Sequence, residues 1–160
     1  MKRALAFALA AAAVLSPAYG FAQGIETRIA QLLGEIRSEP DGNLRSQHTA
    51  RLAEYIAAEP GGAVKLEART IDDIAGLLAD EEDWVRFYAA ASLGFVGAGA
   101  RRALPQLERA LDRAKGIATL GARTPGIFGG LGSANAICAA IGKIDLGRRP
   151  GGCENLGARQ

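Results

Sequence analysis

Residues 71–112, IDDIAGLLADEEDWVRFYAAASLGFVGAGARRALPQLERALD from Ile71 to Asp112, carry the periodicity that decides the fold. Ile71, Ile74, Leu77 and Leu78 recur at the spacing of one helical face, and the acidic turn Asp80-Glu81-Glu82-Asp83 follows. Carboxylates placed there suit the start of a helix, where the N-terminal end of the helix dipole favours negative charge. A calcium loop is not expected, because the alternating oxygen ligands, central glycine and distal glutamate of such a loop are missing. The next helix is expected from Asp83 or Trp84 to about Val96. Val85, Ala89, Ser92, Leu93 and Val96 mark one of its faces, while Phe87, Ala90, Ala91, Gly94 and Phe95 cover much of the rest. A helix apolar most of the way round packs on more than one side, so this one is predicted to be central. Gly97-Ala98-Gly99 ends it. A further helix is expected from about Ala100 to Ala114, with Leu104, Leu107, Leu111 and Ala114 inward and Arg102, Glu108, Arg109 and Asp112 outward. Pro105 falls in its first turn, where a missing N–H costs little.

Upstream, Ile25, Ile29, Leu32, Leu33 and Ile36 place a helix over Gly24 to Glu39, ended by Pro40-Asp41-Gly42. Asn43 is the expected cap of a second helix to about Ala58. Its stripe is Leu44, His48, Leu52, Tyr55 and Ile56, and Arg45, Arg51 and Glu54 lie nearer its polar side. His48 is a natural suspect for acid/base chemistry, but no Ser, Cys or carboxylate is placed to partner it, and the reading is a satisfied, partly buried histidine. Glu59-Pro60-Gly61-Gly62 breaks the chain, and Ala63 to Arg69 forms a connector. Thr70, with Asp73 three residues on, is expected to cap the helix of Ile71 and Ile74.

Downstream, the glycines and Pro125 between Gly116 and Gly132 predict a long flexible loop, after which Ser133 caps a last helix from Ala134 to about Ile144. Residues 126–133 invite a phosphate-cradle reading, which is weak because no strand precedes them and no lysine follows.

Residues 1–22 read as a cleavable secretory signal: Lys2 and Arg3, an apolar run from Ala4 to Leu15, then a helix-breaking, small-residue end at Ser16 to Ala22. Cleavage is expected after Ala22, with Gly20 as the alternative. The twelve-residue run is short of a bilayer span, so no stable membrane anchor is expected after cleavage, and the location is periplasmic or secreted. Residues 23–145 are then one helical domain and 146–160 a Gly/Arg-rich tail. Losing Lys2 and Arg3 from 19 basic residues leaves 17 against 17 acidic ones, a balance that argues against nucleic acid as partner. In an oxidising compartment the even pair Cys138 and Cys153 predicts a disulfide that ties the tail back. Two Cys and one His are too few for a zinc site, and no metal or cofactor is expected.

Leu78 to Gly97, LADEEDWVRFYAAASLGFVG, followed by the leucine-rich Ala103 to Leu111, resembles the HEAT repeat, in the HEAT-like class named after phycobilisome lyases. Ala139 to Ile144 echoes Ala91 to Val96 at an offset of 48 residues. The resemblance implies an all-α fold, a short α-solenoid of about three antiparallel helix pairs in a right-handed superhelical stack. It also implies that Asp80, Asp83 and Arg86 are structural repeat-junction residues, the acids ending and capping helices and the arginine tying adjacent repeats together. The function expected is a non-enzymatic protein-binding or scaffolding module that offers its second helices to an unknown protein or peptide, with Arg45, Arg51, Trp84 and Tyr88 as candidate interface residues. Because some members of the class attach or detach bilin chromophores, a lyase-like enzyme is the alternative, alongside an anion or small-ligand binder built on residues 126–133. No catalytic residues are expected.

Overall fold

The computed structural model describes residues 17–59, 64–121 and 131–146 and, in the tail, residues 148, 151 and 153. Helices account for the regular structure, and no strand occurs among the described residues. In chain order they are α1 (Pro17–Ser38), α2 (Gly42–Ala57), α3 (Ala68–Gly76) continued by a 3-10 turn (Leu77–Ala79), α4 (Asp83–Val96), a 3-10 segment (Gly97–Ala103), α5 (Leu104–Gly121) and α6 (Leu131–Ile144).

The central helix is where the sequence puts it. α4 buries Val85, Arg86, Ala89, Ala90, Ser92, Leu93, Gly94 and Val96 and packs against α2 on one side and α6 on the other. Small residues make the second contact close: a Cβ added at Gly94 would stand 3.2 Å from the Cα of Ala140 in α6. Across this row, α3 touches α1, α4 and α5. One apolar cluster links all six helices, from Ile29 and Ile36 in α1 through Leu93 in α4 to Ile137 and Ile141 in α6. Gly97 ends α4 at φ 63° and ψ −138°, a conformation open in practice to glycine alone.

Several boundaries differ from expectation. α1 begins at Pro17, so Pro17 to Ala22, expected to break a helix, are helical; proline is tolerated at a first helical position, where its N–H has no partner to lose. Residues 1–16 lie outside the described residues. The cap of α2 is Asp41 rather than Asn43, its carboxylate accepting from the Leu44 N–H at 2.9 Å. The core face of α2 is also rotated. Thr49, Leu52, Ala53 and Ile56 are buried, Leu44 is 44% exposed, and His48 and Tyr55 are only half-buried. The small side chain of Ala53 suits close packing, and Thr49 enters the core because its hydroxyl donates to the Arg45 carbonyl one turn back at 2.8 Å. His48 is partly buried as expected, but its Nδ1 accepts or donates no hydrogen bond among the described residues.

α3 is not capped by Thr70. It starts at Ala68, and a carboxylate from another helix does the work: Glu26 of α1 accepts from the Glu67 N–H and from the Thr70 hydroxyl, each at 2.6 Å. Two surface pairs stitch the same helix to its neighbours, Arg37 to Asp73 and the bidentate Arg102 to Asp72.

α5 continues to Gly121, so the first part of the expected Gly116–Gly132 loop is helical; one glycine in a helix interior costs only about 1 kcal/mol relative to alanine. α6 in turn starts at Leu131, before Ser133. Residues 122–130, which include most of the suggested phosphate cradle, lie outside the described residues. Cys138 and Cys153 are bonded, with their Cα atoms 5.8 Å apart. Lys115 donating to the Gly151 carbonyl at 2.6 Å and Arg148 paired with Glu108 hold the tail on α5 as well.

The bridge closes a loop of 15 residues, for which chain entropy gives about 3 kcal/mol. Replacing both cysteines by serine should lower the unfolding free energy by about that much in urea titrations, with the far-ultraviolet circular dichroism of the folded baseline unchanged. Loss of the helical signal before any denaturant is added would show that the bridge does more than tie the tail.

Candidate functional site

Two groups of functional residues come together at the N-terminal end of α4, one holding the helix in place and the other facing solvent. The first is a polar joint built on the acidic turn. Arg45 of α2 reaches across to Asp80 in a fork, Nε to Oδ2 at 2.8 Å and Nη2 to Oδ1 at 3.0 Å, and its Nη1 donates to the carbonyls of Glu39 and Pro40, both at 3.2 Å. Hydrogen bonding by Asp80, together with the charges of Asp80, Glu81 and Glu82, raises the Arg45 pKa above its ordinary value against the opposing effect of burial. The same Asp80 Oδ1 accepts from the Glu82 N–H at 2.9 Å, which bends the turn into α4.

Arg86, 3% exposed, lies beneath that turn. Its Nη1 donates to the carbonyls of Asp80 at 2.8 Å and Glu81 at 2.6 Å, and its Nη2 to Asp83 Oδ1 at 2.7 Å. The Ser133 hydroxyl of α6 donates to that same Asp83 oxygen. The division of labour therefore differs in detail from the one expected of Asp80, Asp83 and Arg86. Arg86 braces the turn that leads into its own helix, Arg45 ties α2 to that turn, and Asp83 hands the connection on to α6. Neither acid is the N-cap of α4, which is Glu82 with no side-chain cap bond.

The second group is a groove of about 350 Å³ between α2 and α4, lined by Asn43, Ser46, Gln47, Ala50, Trp84 and Tyr88. Trp84 is 56% exposed, an unusual state for the chain's single tryptophan. Phe87 supports it edge-on at 5.4 Å between ring centroids, and Tyr88 lies 6.1 Å away with its plane tilted by 30°. Phe87 and Tyr88 meet edge to face at 5.1 Å. The three rings brace one another, and the Trp84 face is presented with little freedom left to lose on binding. No charged side chain lines the groove.

Of the four expected interface residues, the groove unites Trp84 and Tyr88. Arg45 is only 12% exposed and its donors are used within the joint. Arg51 is exposed and does not line the groove, although it stands one turn from Gln47. Asn43, Gln47 and Ala50 complete the site and were not anticipated. Their i, i+4, i+7 spacing is a legible stripe, but nothing in the sequence says which face of α2 meets α4. Among the described residues no group of three or more His, Cys, Asp or Glu is placed to hold a metal ion, and no helix there is long and apolar enough to cross a membrane. Compared with protein families, characterised proteins and solved structures, the chain matches none.

Replacing Arg86 by alanine strands two turn carbonyls and the Asp83 carboxylate, and should cost about 3 kcal/mol of stability. Lysine at the same position should recover less than half of that, because a single ammonium cannot reproduce the planar fork that spans three acceptors. Thermal and urea unfolding of the two variants measure both quantities. A lysine variant as stable as the parent would mean that charge alone, not geometry, is what Arg86 supplies.

Proposed function

We propose that this chain is an exported, non-enzymatic binding or scaffolding module of HEAT-like helical repeats, which holds an extended protein or peptide segment along the row formed by α2, α4 and α6. The observation that carries the reading is the braced, half-exposed Trp84 in an uncharged groove lined by the amides of Asn43 and Gln47 and by Tyr88. Aromatic rings supply large contact area at low entropic cost, and carboxamides can both donate to and accept from a peptide backbone. The alternation of helices supports the repeat architecture: α2, α4 and α6 neighbour one another in sequence order while α3 touches both α1 and α5, as three helix pairs stacked in a short solenoid would. The disulfide accords with export to an oxidising compartment. Asp80, Asp83, Arg86 and Arg45 have internal structural partners, which leaves them the role of joints rather than of reacting groups.

Because the protein has one tryptophan, located in the groove, its fluorescence reports directly on occupancy. Peptides selected from a random displayed library against the full chain should shift that emission saturably. Replacing Tyr88 by alanine should weaken them at least tenfold, while Arg51→Ala leaves them unchanged. The thermal midpoint of the Arg51 variant should stay close to the parent, since exposed positions away from caps and joints change stability by about 0.5 kcal/mol or less; the Tyr88 variant, which loses ring contacts to Trp84 and Phe87, is compared well below its own midpoint. Selected peptides that bind without perturbing Trp84, or that bind the Tyr88 variant equally well, would place the interface elsewhere.

A further inference from the structure

On the opposite side of the molecule a second groove, of about 300 Å³, runs between α3 with its 3-10 turn and α5. It is lined by Ala75, Gly76, Leu78, Ala79, Gln106, Arg109, Ala110 and Arg113. One wall is nearly bare: Ala75, Gly76 and Ala79 offer no side chain beyond a methyl group, and a Cβ added at Gly76 would meet nothing within 4 Å. The other wall carries two guanidinium groups one helical turn apart, about 6 Å along the α5 axis.

These two arginines differ from most of the others whose side chains are described. Arg37, Arg45, Arg86, Arg102 and Arg148 are each held by a carboxylate. Among the described residues Arg109 and Arg113 are exposed with no ion pair or hydrogen bond, as are Arg51, Arg69 and Arg101, but only Arg109 and Arg113 lie together in the lining of a groove. The acids nearest in sequence do not neutralise them. Glu108 is taken by Arg148, and Asp112, one turn from Arg109, is not within ion-pair distance of either arginine. On the facing helix Asp72 and Asp73 are committed to Arg102 and Arg37. A further observation points into the same place. Gln106 lies one turn before Arg109 and lines the groove, and its Oε1 is buried with no hydrogen-bond partner among the described residues. Its amide also carries two N–H donors, in the same groove lining as the two arginines.

We infer that this groove is a binding site for a small oxyanion of the phosphate-monoester class, its phosphate held between Arg109 and Arg113 with Gln106 as a third donor, and its apolar portion lying on Leu78, Ala79 and Ala110. Forked guanidinium groups match the oxygens of a phosphate, and the small-residue wall lets the ligand body approach the α3 backbone. The site does not depend on the aromatic groove and is separated from it by the core.

The test uses the full chain and phenyl phosphate as the probe, with calorimetric titration at low and moderate salt. Saturable one-to-one binding that weakens with salt is expected, reduced at least tenfold by Arg109→Gln with Arg113→Gln. Gly76→Leu keeps both charges and fills the groove at a position with open space, so it should reduce binding by a similar factor without lowering the thermal midpoint. Arg51→Gln should leave binding unchanged. Vesicles containing phosphatidylglycerol form a second arm: capture of the protein that is lost in the same variants identifies a lipid headgroup as the source of the phosphate, and phenyl phosphate binding without capture identifies a soluble ligand. Equal binding by the Gly76→Leu protein, equal loss in Arg51→Gln, or no binding in either arm overturns the proposal.

Discussion

The rest of the structure depends on how one turn is held. Between the 3-10 turn ending at Ala79 and the first residue of α4, the chain turns over Asp80-Glu81-Glu82, leaving backbone carbonyls with no helical partner. Arg86, buried beneath, takes two of those carbonyls and the Asp83 carboxylate at once. Its cost of burial is offset by charge-assisted bonds that a neutral side chain could not make. Arg45 clamps the same turn from outside through Asp80. With the turn fixed from both sides, the start of α4 is fixed, and with it the register of α4 against α2 and α6.

That register has consequences at a distance. Gly94 must lie against Ala140 for the close approach of α4 and α6, and the exposed edge of α4 must present Trp84 and Tyr88 toward Asn43 and Gln47. The joint also sorts the charges. Asp80, Glu81 and Asp83 of the turn are consumed by Arg45 and Arg86, and the carboxylates of α3 by Arg37 and Arg102. The two grooves differ accordingly: an uncharged aromatic one on one row of helices and, on the other, one lined by two arginines beside a small-residue wall. A chain with nearly balanced charge can in this way offer two chemically distinct surfaces.

Much of the fold was legible because helical periodicity and breakers are local signals. The bounds of α4, its burial on two sides and Pro105 in the first turn of α5 follow from residue spacing alone. Capping was less legible. Asp41, two residues before the expected Asn43, caps α2, and the start of α3 is served by Glu26, 41 residues away from Glu67. A cap supplied by another helix leaves no trace in the local sequence. The same limit applies to the site. Trp84 and Tyr88 could be picked out as an aromatic pair one turn apart, but Arg45, equally prominent as a candidate anchor, turned out to be used inside the fold.

By itself the sequence determined that this is a helical protein with α4 at its centre, that an acidic turn precedes α4, and that two cysteines are available to staple the tail. These follow from period, composition and turn chemistry, which act over a few residues. Only the tertiary structure decided which arginines are spent and which are free, which face of α2 meets α4, and that the Gly116 region continues a helix. Those outcomes depend on distances between groups far apart in the chain, where a carboxylate within about 3 Å either exists or does not, and no local pattern encodes that separation.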